Sequence, residues 1–320
     1  MKVSTVIPTY NRRTQVLRAI DSVLAQTVPA DEIIVVDDGS TDGSVEAIRS
    51  RYASRVKVFR QENRGVSAAR RRALEETRGE WIAFLDSDDE WLPTKLERQF
   101  EAFAAFGDGF GTCFTDCQFV GDRDLQQTSF ELCGLKKYGS FGVLNNPVPY
   151  VLARYAGIYV QSLLVRRSLI SELGGFDEVM VVAEDTDLLL RLALKTKFCF
   201  VSEPLVKIDR TSSRPRLIEL FSHNSEKMFS SREHMFRKWL NLPEMTDPEI
   251  RSQISESLRS LYVDWTVRKL YQFSFFEAFA KTRQAKSAGE SYSRIFSKLA
   301  FRAARKMYER SLTKPQRIHV

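Results

Sequence analysis

The chain has 320 residues, of which 43% are hydrophobic and 28% charged, an ordinary globular composition with length for one large or two modest domains. Its formal charge of +7 comes from the end of the chain, where residues 281–317 hold eleven Lys or Arg against two Glu; the rest is slightly acidic, which argues against a nucleic-acid-binding module. No eighteen consecutive residues stay apolar, and the opening Met1-Lys2-Val3-Ser4-Thr5-Val6-Ile7-Pro8 is too short a run for an export signal, so neither a membrane span nor secretion is predicted.

From the first residues, short β-branched runs alternate with helical patterns, as β-α-β units around a parallel sheet require. The predicted strands are Val3 to Ile7, Glu32 to Val36, Val56 to Arg60 and Trp81 to Leu85. Between them, Arg13 to Gln26 puts Val16, Leu17, Ile20, Val23 and Leu24 on one helical face, and a second helix runs from Val66 to Glu76 after Gly65. A third is expected to start near Pro93, whose fixed φ suits a first turn, and to bring Leu96, Phe100 and Phe103 inward. From Gly107 to Pro149 the chain becomes strand-like and loop-rich, with breakers at Gly134, Gly139, Gly142 and Asn145-Asn146-Pro147. Val160 to Arg166 reads as a strand, Asp185 to Ala193 as a helix, and everything beyond Ser212 as helical.

In an open parallel sheet, ligands bind beyond the carboxyl ends of the strands. Three predicted strand ends carry unusual chemistry: Pro8-Thr9-Tyr10-Asn11, Asp37-Asp38-Gly39-Ser40 and Asp86-Ser87-Asp88-Asp89. Five carboxylates converging on one crevice raise one another's pKa unless a cation sits among them. Mg²⁺ or Mn²⁺ answers that need, since these hard cations take few carboxylates and complete their shell with diphosphate oxygens. Read singly, Asp86 to Asp89 also suits a helix cap ahead of Pro93, and Asp37 or Asp38 a turn-former before Gly39. Three such clusters at three strand ends favour a binding site.

At these residues the sequence resembles the family 2 glycosyltransferases of the GT-A fold, through Val6-Ile7-Pro8-Thr9-Tyr10-Asn11, Val35-Val36-Asp37-Asp38-Gly39-Ser40-Thr41-Asp42, Asn63-Arg64-Gly65-Val66-Ser67-Ala68-Ala69-Arg70 and Phe84-Leu85-Asp86-Ser87-Asp88-Asp89. The resemblance implies an α/β, Rossmann-like architecture with a mostly parallel central sheet flanked by helices. The catalytic domain would span residues 1–212, divided into a nucleotide-sugar half (1–106) and an acceptor half (107–212), with an all-helical region at 213–320. It implies that Pro8 and Tyr10 form the wall for the nucleotide base, that Asp38 accepts the uracil N3–H and so favours a UDP-sugar, and that Arg70 lies near the diphosphate. Asp86 and Asp88 match the metal motif, with Asp88 as the direct ligand of Mn²⁺ or Mg²⁺ and Asp86 beside the donor. Further on, Gly174-Gly175-Phe176-Asp177-Glu178 and Glu184-Asp185-Thr186-Asp187-Leu188 match the family where it places its general base, on Asp185. A carboxylate at a helix entrance is chemically suited to take the proton of an attacking hydroxyl. Glu184 reads as the helix cap or as a partner of the base.

One departure stands out. Many members carry a histidine after the base helix that helps hold the metal or diphosphate, whereas the stretch here is Pro204-Leu205-Val206-Lys207-Ile208-Asp209-Arg210-Thr211. Asp209, Arg210 and His223 remain as substitutes. The implied function is inverting transfer of a sugar to a hydroxyl of a saccharide or lipid-linked acceptor, in cell-surface polysaccharide or lipopolysaccharide biosynthesis. A nucleotidyltransferase of related fold and a catalytically silent nucleotide-sugar binder are the rival readings; a dinucleotide-binding oxidoreductase is not, because the turn after the first strand lacks the Gly-x-Gly-x-x-Gly pattern.

Residues 291–312 predict a basic amphipathic helix, with Tyr292, Ile295, Phe296, Leu299, Ala303, Met307 and Tyr308 near one face and Arg294, Lys298, Arg302, Arg305 and Arg310 around it. It fits a peripheral seat on an anionic membrane face and equally a helix packed on the catalytic domain. Cys113, Cys117, Cys133 and Cys199 show neither Cys-x-x-Cys spacing nor paired His ligands, which predicts reduced thiols, no zinc site and a cytoplasmic protein, peripheral to the inner face of the membrane if the helix binds there.

Overall fold

Alternation of apolar strands with one-sided helices builds the first hundred residues. In a computed structural model, which describes residues 1–107, 109–121, 126–135, 139–152, 157–211, 226–272 and 274–289 with 297 and 300, the chain runs β1 (Val3–Thr9), α1 (Arg13–Leu24), β2 (Glu32–Asp37), α2 (Ser44–Tyr52), β3 (Lys57–Arg60), α3 (Val66–Glu75), β4 (Trp81–Phe84), β5 (Glu90–Trp91) and α4 (Lys95–Phe106). There follow β6 (Thr112–Val120), α5 (Ser129–Cys133), β7 (Phe141–Leu144), α6 (Val148–Val151), β8 (Leu164–Arg166), α7 (Arg167–Glu172), α8 (Glu184–Lys195) and β9 (Phe198–Asp209). These strands form one sheet in the order β3-β2-β1-β4-β8-β6-β9-β5, with β7 also paired to β9. Pairs β1–β2, β2–β3, β1–β4 and β6–β9 are parallel, and β8 lies antiparallel between β4 and β6.

Strands β1, β2 and β4 are buried almost along their whole length because helices cover the sheet, as near-continuous apolar runs require. Ile7, Ile20, Val35, Trp81 and Leu96 lie in one core, and the Trp81 ring meets Phe103 at 4.4 Å.

Among the elements that differ from the sequence-based expectation, four have a physical cause in the contacts or the pattern. Helix α2 was not anticipated, although Val45, Ile48 and Tyr52 form its buried face; nine residues give too short a repeat to stand out. Helix α4 begins at Lys95, two residues beyond Pro93, because the Pro93 carbonyl is held outside the helix by the Thr27 N–H at 2.9 Å. Residues Val160–Ser162 form a 3-10 turn, and only Leu164–Arg166 pairs as strand. The twelve-residue β9 was missed because Pro204 interrupts its pattern. Pro204 sits opposite Asp116 at a register irregularity, where a missing N–H costs the ladder nothing.

Contacts divide the chain into two compact units, Met1–Pro215 and Arg216–Val320. The described part of the second contains α9 (Glu226–Leu240), α10 (Pro248–Tyr271) and α11 (Phe275–Ser287), held by a stacked Phe229–Trp265 pair at 5.3 Å and a Tyr262 hydroxyl that donates to Glu233. The predicted basic helix at 291–312 lies outside the described residues apart from 297 and 300. Among the described residues, no helix is long and apolar enough to cross a membrane. The four cysteines are free thiols, three of them buried.

Candidate active site

Parallel pairing decides which residues can meet. Thr9 lies opposite Asp37 and Val6 opposite Phe84, so β1, β2 and β4 deliver Tyr10, Asp38 and Asp86 to one sheet edge. Strand β8, antiparallel to β4, brings the preceding Gln161 to that edge, and β9 brings Asp209.

At the first turn Pro8 is buried and Tyr10 is 47% exposed, an open ring beside a closed wall. Asn11 takes a left-handed conformation, with φ 49°, and clips the second turn: its N–H donates to Ser40 Oγ, and its Oδ1 accepts from Thr41 N. Asp37 is fully buried and accepts from Ser40 N at 3.0 Å. The adjoining Gly39 has φ 85°, and a Cβ there would stand 3.1 Å from Asn63 N, so both conformation and space call for glycine. Asp38 accepts from Gln61 Nε2 at 2.8 Å, Arg64 N at 2.9 Å and Gly65 N at 2.8 Å. A carboxylate has about four acceptor positions, so roughly one is left for a ligand N–H.

The three carboxylates of the acidic turn after β4 each have different partners. Asp86 accepts from Arg70 Nη2 at 2.6 Å, Asp88 pairs with Arg12, and Asp89 accepts from Gln161 Nε2 at 2.7 Å and Asp209 N at 2.9 Å. Burial raises the Asp88 carboxyl above the usual range, more than Arg12 offsets, and Asp86 pushes it further up. Asp89 is raised well above its ordinary value by burial and by Asp88 and Asp86. The five carboxylates expected in one crevice thus have separate partners: Asp37 and Asp38 serve the second turn, and Asp89 ties the third to β8 and β9.

Asp88 and Asp86 remain as candidate ligands for a divalent cation: they share one turn, each is paired with an arginine, and among the described residues no three or more His, Cys, Asp or Glu are arranged to enclose an ion. Asp88, with Asp86 beside it, would hold Mn²⁺ or Mg²⁺ whose other positions fall to a diphosphate, the mode such ions favour.

Helix α3 explains why the Asn63 to Arg70 segment reads as a motif. Ser67 and Arg70 lie three residues apart on one face of α3, Arg64 stands just before its N-cap Gly65, and the three hold the chain that leads into α8 and its first residue: Arg64 Nη2 donates to Glu178 at 2.7 Å, Ser67 Oγ to the Met180 carbonyl at 2.6 Å, and Arg70 Nη1 to Glu184 at 2.6 Å. Arg70 is only 3% exposed and lies 5.3 Å from the centre of the Phe176 ring. Ala183, at φ 63°, is a strained non-glycine turn from which α8 starts. Next come Glu184, buried, and Asp185, half-buried, whose Oδ1 accepts from Thr186 N at 2.7 Å. Burial and the Asp185 charge raise Glu184 to about 7 in spite of Arg70. One turn further, Asp187 and Arg191 form a buried ion pair at 2.6 Å, and Arg191 also donates to the Leu173 and Gly175 carbonyls, fixing the Gly-Gly-Phe loop.

Arg12, Gln161 and the Asp187–Arg191 pair were not singled out by sequence. The i,i+4 spacing of the last was visible; nothing local marks the other two. Of the substitutes for the family's histidine, Asp209 is engaged by Arg18 at 3.0 Å and by Thr211, Arg210 places its guanidinium 5.2 Å from the Phe119 ring centre, and His223 lies outside the described residues.

A strand order of this kind, with an acidic turn after β4 and a carboxylate-headed helix tied to it, defines the GT-A class of nucleotide-diphospho-sugar transferase folds. The chain belongs to glycosyl transferase family 2, whose model, "Glycosyl transferase family 2", matches residues 4–163. Among curated relatives, the putative teichuronic acid biosynthesis glycosyltransferase TuaG of Bacillus subtilis is 43% identical over 102 residues, 31% of this chain and 40% of that protein, so the match spans less than half of the relative. Among solved structures, the S. aureus TarS 1-349 complex with UDP-GlcNAc superposes with TM-score 0.63 at 18% identity, covering 91% of this chain and 93% of that one. The mannosyltransferase PcManGT of Pyrobaculum calidifontis, in complex with GDP-Man and Mn²⁺, gives TM-score 0.57 at 19% identity, covering 98% of this chain and 82% of that one. At these identities the likeness is one of fold.

Proposed function

We propose that the chain is an inverting glycosyltransferase that moves a sugar from a nucleoside diphosphate donor to a hydroxyl of a saccharide or lipid-linked acceptor in the synthesis of a cell-surface polysaccharide. The observation that carries the reading is the single guanidinium of Arg70 joining Asp86, on the acidic turn, to Glu184, beside Asp185. It brings the donor-holding and proton-accepting carboxylates of one reaction to one place.

In this reading Pro8 and the exposed Tyr10 ring form the face against which the base lies, and the free acceptor position of Asp38 takes the uracil N3–H, which makes UDP the nucleotide. Asp88 and Asp86 hold the metal; when bound, it neutralises charge on the departing diphosphate. Arg70 adds a fixed positive charge beside that region. Asp185 takes the proton of the acceptor hydroxyl, which attacks the anomeric carbon opposite the leaving diphosphate, so that one displacement inverts the centre. The complexes of TarS with UDP-GlcNAc and of PcManGT with GDP-Man and Mn²⁺ support a nucleotide-sugar donor and a metal, and TuaG supports a cell-envelope product. A lipid-linked acceptor would hold the protein at the inner face of a membrane, where the basic 291–312 segment is suited to lie.

A thermal-shift series of nucleoside diphosphates and their sugars, with and without Mn²⁺, tests the donor. The expected result is Mn²⁺-dependent stabilisation that is largest for uridine compounds; an equal response without metal, or none to any nucleotide, contradicts the assignment. The configuration of the product's anomeric carbon by NMR tests inversion.

A further inference from the structure

The second unit carries a surface that the transfer reaction leaves unused. Residues 271–279 include five aromatics, Tyr271, Phe273, Phe275, Phe276 and Phe279. Helix α11 turns small and amphipathic side chains inward: Ala278 and Ala285 are buried, and the Lys281 ammonium sits 3.3 Å from the Trp265 ring centre. Its large apolar side chains face out. Phe276 is 94% exposed, and Phe275 and Phe279 are each 65% exposed, with Leu270 at the end of α10 also on the surface.

This inverts the usual arrangement, in which an amphipathic helix buries its rings and exposes its charges. Positions 276, 279, 283 and 286 recur at helical spacing, so Phe276, Phe279, Arg283 and Lys286 share the outer stripe of α11, with both cations exposed. The nearby carboxylate of Glu277 is neutralised by Lys269. The sequence from Lys281 to Arg317 then adds only two acids to eleven bases. Rings at one end of a stripe, cations along the rest and a strongly basic continuation complement an apolar layer bounded by negative charge.

We propose that the outer face of α11 docks on an anionic bilayer, with Phe276 and Phe279 inserted at the acyl boundary and Arg283 and Lys286 against lipid phosphates. This deepens the peripheral location proposed above by naming the surface that makes it. It rests on that reading only for its biological setting, because the binding assay needs neither donor nor acceptor.

The test is co-sedimentation of the full chain with vesicles of phosphatidylcholine alone or mixed equally with phosphatidylglycerol. The wild type is expected to favour the mixed vesicles by about tenfold or more and to be released by high salt. Phe276→Ser with Phe279→Ser should lower that binding by about tenfold with an unchanged circular dichroism spectrum. Arg283→Glu with Lys286→Glu, which keeps both rings, should remove the preference for the anionic lipid, so the proposal remains testable if the serine variant fails to fold. Wild type that ignores both vesicles overturns the proposal. So does a serine variant that binds like wild type, which would assign the attraction to the basic end of the chain alone. Light scattering that shows the serine pair converting a dimer to a monomer would assign the face to a second copy of this chain and overturn it as well. Active enzyme that does not bind vesicles would sink this inference and leave the transfer reaction standing.

Discussion

Arg70 donates to Glu184 at 2.6 Å across 114 residues of chain, and its other terminal nitrogen donates to Asp86. The head of α8 is thereby fixed to the turn after β4 through one buried side chain. A guanidinium can do this because its donors diverge in a rigid plane, which an ammonium cannot reproduce.

Replacing Arg70 by Ala leaves Glu184 buried without its cation and is expected to cost about 3–5 kcal/mol in urea unfolding. Arg70→Lys should recover part of the stability and little of the turnover, since one ammonium cannot hold both carboxylates. A variant that unfolds like wild type and loses only donor affinity would place Arg70 on the diphosphate instead.

Glu184 links the same site to pH. Its folded pKa of about 7 stands above its ordinary 4.5, so between these values the native state binds more protons than the unfolded chain. Stability from this group is therefore unaffected below about pH 4.5, falls as pH rises towards 7, and is flat above. Glu184→Gln should abolish that fall, on the order of 3 kcal/mol by the end of the window, measured as the difference between the two proteins' unfolding free energies across pH. Parallel curves would show that Glu184 does not carry the effect.

Asp185→Asn should lower kcat by about a hundredfold to ten-thousandfold with donor affinity nearly unchanged, the signature of a lost general base. Asp88→Ala should instead remove Mn²⁺-dependent donor binding in calorimetry. Asp185→Asn that turns over normally, or Asp88→Ala that binds donor and Mn²⁺ as before, would reassign the residue concerned.

Asp89 offers a test of the tie between β4, β8 and β9. Asp89→Ala strands the Gln161 amide and the Asp209 N–H, at a cost of about 1–3 kcal/mol. Asp89→Asn keeps an acceptor and relieves a carboxylate that burial and its acidic neighbours already push towards neutrality, so its loss should be smaller. Equal destabilisation by the two substitutions would show that charge, and not hydrogen bonding, is what the turn requires.

The local signals that made the first half legible are physical ones. Strands β1, β2 and β4 are short, mainly apolar runs ending in polar clusters, and runs of that kind are at home inside a covered sheet. Proline obscured β9, β5 is too short to register as periodicity, and nothing in the apolar pattern of Val160–Arg166 separates the 3-10 turn of its first half from the paired strand of its second. The Ser67 and Arg70 spacing was present in the sequence as a helical face with Arg64 just ahead of it, but the target, residues 178–184, could not be read because nothing local records which distant segment a face will meet.

Order along the chain thus supplied the inventory of the proposed site: Pro8 and Tyr10 after β1, Asp38 after β2, an acidic turn at Asp86 to Asp89 and a carboxylate pair at Glu184-Asp185. Tertiary structure alone decided how these charges are shared. Carboxylates that look equivalent in sequence become a turn brace at Asp37, a strand tie at Asp89 and an arginine-paired group at Asp88, because burial penalises every unpaired charge and each one takes the nearest donor that the packed sheet supplies.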